Sequence, residues 1–104
     1  MVRNRFHFVI ALGKFNEGVH WVRELNEACR KAGCAEGKLW SVGFGKANEC
    51  VVEYDYADLA SLDQDVNKFQ SAAEVMAVFR RGLEVGAPEH WPWTELLIEA
   101  PALA

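Results

Sequence analysis

The order in which hydrophobic spacing changes along the chain limits its fold more than any single motif. Residues 5 to 12, Arg-Phe-His-Phe-Val-Ile-Ala-Leu, are aromatic and β-branched and stop at Gly13, which is the pattern of a strand. From residue 17 to 32 the spacing becomes helical, with Trp21, Leu25, Ala28 and Ala32 on one stripe beside Val22 and Cys29. Asn16 is placed to cap that helix and Gly33 to end it. Strand patterns return from Lys38 to Gly45 and from Glu49 to Tyr56, joined by the polar run Gly45-Lys46-Ala47-Asn48, a tight antiparallel hairpin. Asp58 opens a second helical stripe of Leu59, Leu62, Val66 and Phe69. Ser71 with Glu74 forms a capping box, so a break near Gln70 is predicted, with Met76, Phe79 and Leu83 continuing to Gly86 and Pro88. Thr94 to Glu99 reads as a last strand and Pro101 onward as a short tail.

The resulting order is β-α-β-β-α-β, an α+β domain. A split βαβ arrangement of this kind makes one four-stranded antiparallel sheet with its helices on one side. A length of 104 residues predicts a single domain, residues 1 to 104, with core enough to fold without staples. Side chains alternate along a strand. Phe6, Phe8, Ile10 and Leu12, with Cys50, Val52, Tyr54, Leu96 and Ile98, are therefore assigned to the helix side. Arg5, His7, Val9, Ala11, Val51, Glu53, Asp55, Glu95, Leu97 and Glu99 fall on the opposite face. The first hairpin strand can present either Trp40, Val42 and Phe44 or Leu39, Ser41 and Gly43 to the helices. Left bare, the opposite face would expose an apolar middle of the kind that marks an interaction surface. A second copy offering the same face would cover it, so a homodimer is expected.

Composition removes several classes of function. Hydrophobic residues make up 51% of the chain and charged residues 25%, the balance of a folded globule. The formal net charge is −4 and the basic groups are short, Arg3 with Arg5 and Arg80 with Arg81, which argues against nucleic acid as a partner. Three cysteines, Cys29, Cys34 and Cys50, form neither a disulfide framework nor a zinc pattern and are read as reduced thiols of a cytoplasmic protein. The apolar run from Phe8 to Leu12 is too short for a signal segment, and no stretch is long enough for a membrane span. A glycine-rich phosphate loop, a nucleophile elbow and a Cys-His nucleophile set are all missing, and no metal site is expected.

The element order, the length and the run Val51-Val52-Glu53-Tyr54-Asp55-Tyr56-Ala57-Asp58-Leu59-Ala60 resemble the dimeric α+β barrel superfamily, in particular its NIPSNAP-like and antibiotic-biosynthesis monooxygenase-like members. The resemblance covers about residues 5 to 99 and is one of pattern rather than of a specific motif. It implies a ferredoxin-like unit, two of which pack their sheets into one barrel, and a cavity between sheet and helices in each subunit. It also implies activities as different as cofactor-free oxygenation of aromatic molecules, isomerisation and heme degradation, so fold alone does not set function. The heme-degrading pattern needs an Asn on the first strand and a Trp and a His on the second helical region. Here Asn4 is expected at or before the strand start and the second region has neither Trp nor His, so heme degradation is not expected.

Few residues are placed to carry chemistry. His7 is the candidate general base, with Glu53 or Asp55 expected nearby on the adjacent strand to hold its tautomer; the plainer reading is a polar residue at the dimer interface. Tyr54 is the second catalytic candidate, as an orienter of an enol or phenol. Trp40 and Tyr56 would extend an aromatic wall, with Glu53 beside them, or else pack in the core. The loop His90-Trp91-Pro92-Trp93 is the most unusual stretch, and Trp91 and Trp93 are expected to cover a cavity or bury against the other subunit. Two functions fit. One is a cofactor-independent monooxygenase or isomerase acting on a small aromatic or enolisable molecule. The other is a non-catalytic module that binds a small apolar ligand or another protein.

Overall fold

A computed structural model describes residues 1–43 and 45–100. Phe44, assigned from sequence to the first hairpin strand, and the tail from Pro101 lie outside the described residues. The elements are β1 (Val2–Val9), α1 (Phe15–Ala32), β2 (Lys38–Ser41), β3 (Glu49–Tyr56), α2 (Leu59–Ser71), α3 (Ala73–Arg80) and β4 (Trp93–Ile98), with a 3₁₀ turn at Arg81–Glu84. The four strands form one antiparallel sheet in the order β2-β3-β1-β4. The ferredoxin-like α+β order expected from the sequence is therefore present.

Register settles the faces. Phe6 stands opposite Val52 and Thr94, Phe8 opposite Cys50, and Leu39 opposite Val52, which puts Leu39 on the helix side and Trp40, opposite Val51, on the open side. The core joins Phe8, Ile10, Cys50 and Val52 of the sheet to Trp21, Val22, Leu25 and Cys29 of α1 and Val75 and Val78 of α3. Trp21 seals this core with both halves of its chemistry. Its ring packs edge-on to Phe8 with centroids 5.6 Å apart, and its indole N–H donates to the Val78 carbonyl at 2.7 Å.

Several boundaries differ from the sequence reading for local reasons. β1 starts at Val2, not residue 5, because Arg3 and Arg5 are paired across the ladder with Asp55 and Glu53 of β3. It ends at Val9, so Asn4 lies inside the strand, opposite Tyr54 and Leu96. Leu12, expected in the core, is 81% exposed in a turn with Gly13, whose φ of 85° is the left-handed conformation that glycine tolerates. Asn16 is inside α1, whose N-cap is Lys14 with no side-chain bond. Gly33 does end α1 in the left-handed form, and the Cys34 N–H donates to the Cys29 carbonyl at 2.8 Å. β2 stops at Ser41, so the hairpin loop is longer than the four-residue link read from sequence. Asp58 caps α2 through the Ser61 N–H at 2.8 Å, whereas α3 is capped by Ala72 without a side-chain bond. The break therefore falls two residues after Gln70. On α2 no residue is fully buried: Leu59 and Val66 are exposed, and Phe69 alone of that stripe packs against the core.

Candidate functional site

The chain meets the same edge of β1 twice on its way out. Gly86 bridges Ile10, with the Ala87 N–H donating to the Val9 carbonyl at 2.8 Å, and Trp93 then opens the β4 ladder opposite His7. Six residues, 87 to 92, thus stand opposite only Phe8 and Val9. The surplus must leave the sheet plane, as in an enlarged bulge. Pro88 and Pro92 suit this segment because neither has an N–H to give to a ladder.

The displaced loop makes one wall of a cavity of about 410 Å³, within the size range of small-molecule sites. Phe6, Phe8 and Val9 form the floor, Trp21, Phe79 and Gly82 the back, and Pro88, Trp91 and Pro92 the lip. Leu83 and Trp91 stand at the mouth, 87% and 88% exposed. Gly82 leaves the room: a Cβ there would come within 2.5 Å of the Trp21 ring. Among the described residues, the charged or titratable side chains lining the cavity are Arg80 and His90, and no carboxylate lines it. A depression on α2, bounded by Leu59, Ala60, Leu62, Asp63 and Val66, is the work of a single helix and has no facing wall.

The open face of the sheet has a different chemistry. A ladder of charges crosses its middle. Arg3 grips Asp55 with two nitrogens at 2.7 and 3.1 Å, and Arg5 donates to Glu53 at 2.9 Å and lies 3.6 Å from Glu95. The Arg3 guanidinium holds the Asp55 carboxyl below the usual carboxylate range. His7 stacks flat on Trp93, with centroids 3.6 Å apart and planes 4° from parallel, and its Nε2 lies 3.3 Å from Glu95 Oε1. The carboxylate beside His7 is therefore Glu95 and not Glu53 or Asp55, because register sets His7 opposite Val51 and leaves both β3 acids to the arginines. Trp40 lies on this face too, half exposed, with Lys38 Nζ 4.5 Å from its ring centroid.

At the far end of the helix side, the Tyr56 hydroxyl donates to Asp65 Oδ2, and the Ala35 N–H donates to Asp65 Oδ1 at 2.9 Å. Burial, then the bond to Asp65, pushes the Tyr56 phenol well above its ordinary value. Burial pushes up the Tyr54 phenol as well, and it pushes the nearby Cys29 thiol up to about 12. Cys29, Cys34 and Cys50 are free and buried, packing groups rather than nucleophiles.

The expected site residues are thus divided among three places. His7, Glu53, Trp40 and Trp93 share the open face, Tyr54 and Tyr56 lie under the helices, and Trp91 is the one that reaches the cavity. His7 and Tyr54 stand on opposite faces of the sheet, so no pocket within this chain holds both. His20 is exposed on α1, 2.8 Å from Glu24. The cavity residues that sequence reasoning passed over are Arg80 and Leu83. The signal for them was an arginine pair closing an amphipathic helix just before a proline-bounded aromatic loop. Among the described residues no group of acids, histidines and cysteines could hold a metal ion, and no helix is long and apolar enough to cross a membrane.

A single antiparallel sheet in the order β2-β3-β1-β4, with the helices packed on one face, defines a ferredoxin-like α+β domain. Solved structures carry the same fold. An uncharacterised NIPSNAP domain protein from Burkholderia xenovorans superposes with a TM-score of 0.77 at 18% identity, over 96% of this chain and 95% of that one. A NIPSNAP family protein from Agrobacterium tumefaciens gives 0.74 at 17%, over 95% and 92%. An antibiotic biosynthesis monooxygenase gives 0.69 at 17%, over 97% and 100%. No protein-family model matches the sequence, and no curated protein is significantly similar to it.

Proposed function

We propose that this protein binds a small apolar or aromatic molecule in the cavity beneath the 87–92 loop, as a homodimer whose copies cover each other's open sheet face. The observation that carries the binding reading is the cavity itself: aromatic on floor, back and lip, with Trp91 held out at its mouth. A large aromatic side chain kept in water beside an apolar hollow is a surface awaiting a ligand. Titrating the protein with 1-naphthol while following tryptophan emission tests this. Saturable quenching that weakens in Leu83→Asp is expected, and an unchanged spectrum up to the solubility limit would refute it.

Support for the dimer comes from the open face. Trp40, Trp93 and Leu97 are each more than a third exposed there. The charges between them are already paired within the chain, so a second sheet can cover them without stranding an ion. Light scattering across a dilution series should give twice the chain mass; a monomer throughout would remove this part of the proposal.

One observation favours a catalytic reading. The His7–Glu95 pair at 3.3 Å, floored by Trp93, is a base with an orienting carboxylate. Enclosed between two sheets it would suit a cofactor-independent oxygenation or isomerisation, and the name of one solved neighbour, an antibiotic biosynthesis monooxygenase, lends support. His7→Gln should then abolish oxygen consumption or substrate isomerisation in a folded dimer, and full turnover by that variant would exclude His7 as the base.

A further inference from the structure

We infer that the natural ligand of the cavity is an amphiphile with an apolar body and a single anionic head, a carboxylate of fatty-acid or arylalkanoate type, whose head is held by Arg80 and His90. The inference rests on the reading that the cavity binds a ligand and adds its charge. Arg3, Arg5, Arg30 and Arg81 each have a carboxylate within 4 Å. Arg81, next in the chain, is held by Glu24 at 3.1 Å on the outer side of α1. Arg80 makes no ion pair among the described residues, and it borders the cavity. Arg23 is likewise unpaired among them, but it lies on the exposed side of α1 and does not border this cavity. An unmatched guanidinium at the mouth of an apolar hollow attracts an anion and orients it by its planar fork.

The rest of the lining fits the same occupant. Among the described residues no Asp or Glu lines the cavity, so none of them competes for Arg80 or repels a carboxylate there. The Trp21 N–H is spent on the Val78 carbonyl, so Arg80 and His90 are the side chains left to meet a polar head. Of these lining residues Arg80, Leu83 and Trp91 are exposed and His90 is half-buried, while Phe6 and Phe79 are half-buried and Phe8 and Trp21 buried, so the polar groups stand nearer solvent than the aromatic floor. A ligand with its head at the mouth and its body inward matches both regions. A cationic ligand would meet Arg80, and a neutral one would leave it unmatched.

Three probes of one chain length separate the possibilities: decanoate, decan-1-ol and decylammonium, titrated by calorimetry against the full-length protein and its Arg80→Gln and Arg80→Lys variants. The expected order is decanoate, then decanol, then decylammonium. Arg80→Gln should weaken decanoate about fivefold, the scale of a partly exposed ion pair, and leave decanol unchanged. Arg80→Lys should restore part of the loss. Equal affinity for all three would overturn the anionic head while leaving the cavity as a ligand site. Binding of none would overturn both. Sedimentation with anionic phospholipid vesicles, with no response to free decanoate, would overturn the proposal in favour of a membrane surface.

Discussion

At one end of the layer between sheet and helices, Tyr54 and Val52 press against Gly37, and Asp65 ties α2 to β3 and to the loop after α1. At the other end, Phe6, Phe8, Trp21 and Phe79 are just as aromatic, yet they enclose a hollow of about 410 Å³. The two ends use similar residues, and what separates them is the backbone. At the closed end Asn26 exchanges two bonds with Gly37, both at 2.8 Å, drawing the chain down onto the sheet. At the hollow end the surplus residues between Gly86 and Trp93 hold the chain away from it. Aromatic content therefore does not locate a cavity; the difference in strand length along one sheet edge does.

If the closed end is structural and the hollow end functional, substitutions should separate stability from binding. The largest effect on stability is expected from Gly37→Ala. A Cβ there would collide with Val52 Cγ1 and lie 2.6 Å from Tyr54 Cζ, so the loop must lift and break its bonds to Asn26. Overpacking of this kind costs about 3 kcal/mol, read as a lower urea midpoint with ligand affinity per folded molecule unchanged. Next comes Asp65→Ala, which leaves the Tyr56 hydroxyl and the Ala35 N–H without their acceptor. A loss of about 2 kcal/mol is expected. Unchanged stability in both variants would break the comparison.

A smaller effect separates the ends by pH. The Cys29 thiol is pushed up to about 12, chiefly by burial, while an unfolded cysteine titrates near 8.5. The folded state thus keeps a proton that the unfolded state gives up. Stability from this group is whole below about pH 8.5 and declines as pH rises toward 12. The raised phenols of Tyr54 and Tyr56 act in the same direction above about pH 10. Urea midpoints should fall progressively through this range. Cys29→Ser should flatten the first part of the fall, and a wild-type midpoint constant up to pH 11 would contradict the burial of Cys29.

The contrast between the ends also marks what could be read from the chain alone. Element order, the helix-side faces of β1 and β3, the Asp58 cap and the Gly33 stop were all legible, because each depends on spacing or on one residue's conformational preference. Candidate site residues were less so. His7 was placed on the correct face, but its carboxylate comes from β4 through register, which composition does not encode. Tyr54 and Tyr56 share the aromatic character of a pocket wall but face tight packing, since the approach of Gly37 depends on a tertiary bond to Asn26. Arg80 was hidden by lying in a helical stripe whose neighbours are core. Its place in the cavity wall appears only when the 87–92 loop stands opposite it.

Trp91→Ala should have the smallest effect on stability and so gives the sharpest test of the hollow end. The side chain is 88% exposed and makes no aromatic contact with another described ring. Removing it exposes no core atom, and a surface change of this kind falls within about 0.5 kcal/mol of wild type. Its place on the lip means that a bound ligand would lose a flat apolar contact there. The expected result is an unchanged melting temperature with clearly weaker binding of decanoate or 1-naphthol. A drop of several degrees would mean that Trp91 is already packed in solution, against the loop or against a second copy of the chain. The lip would then belong to the fold or to the dimer, and the hollow end would be closed like the other.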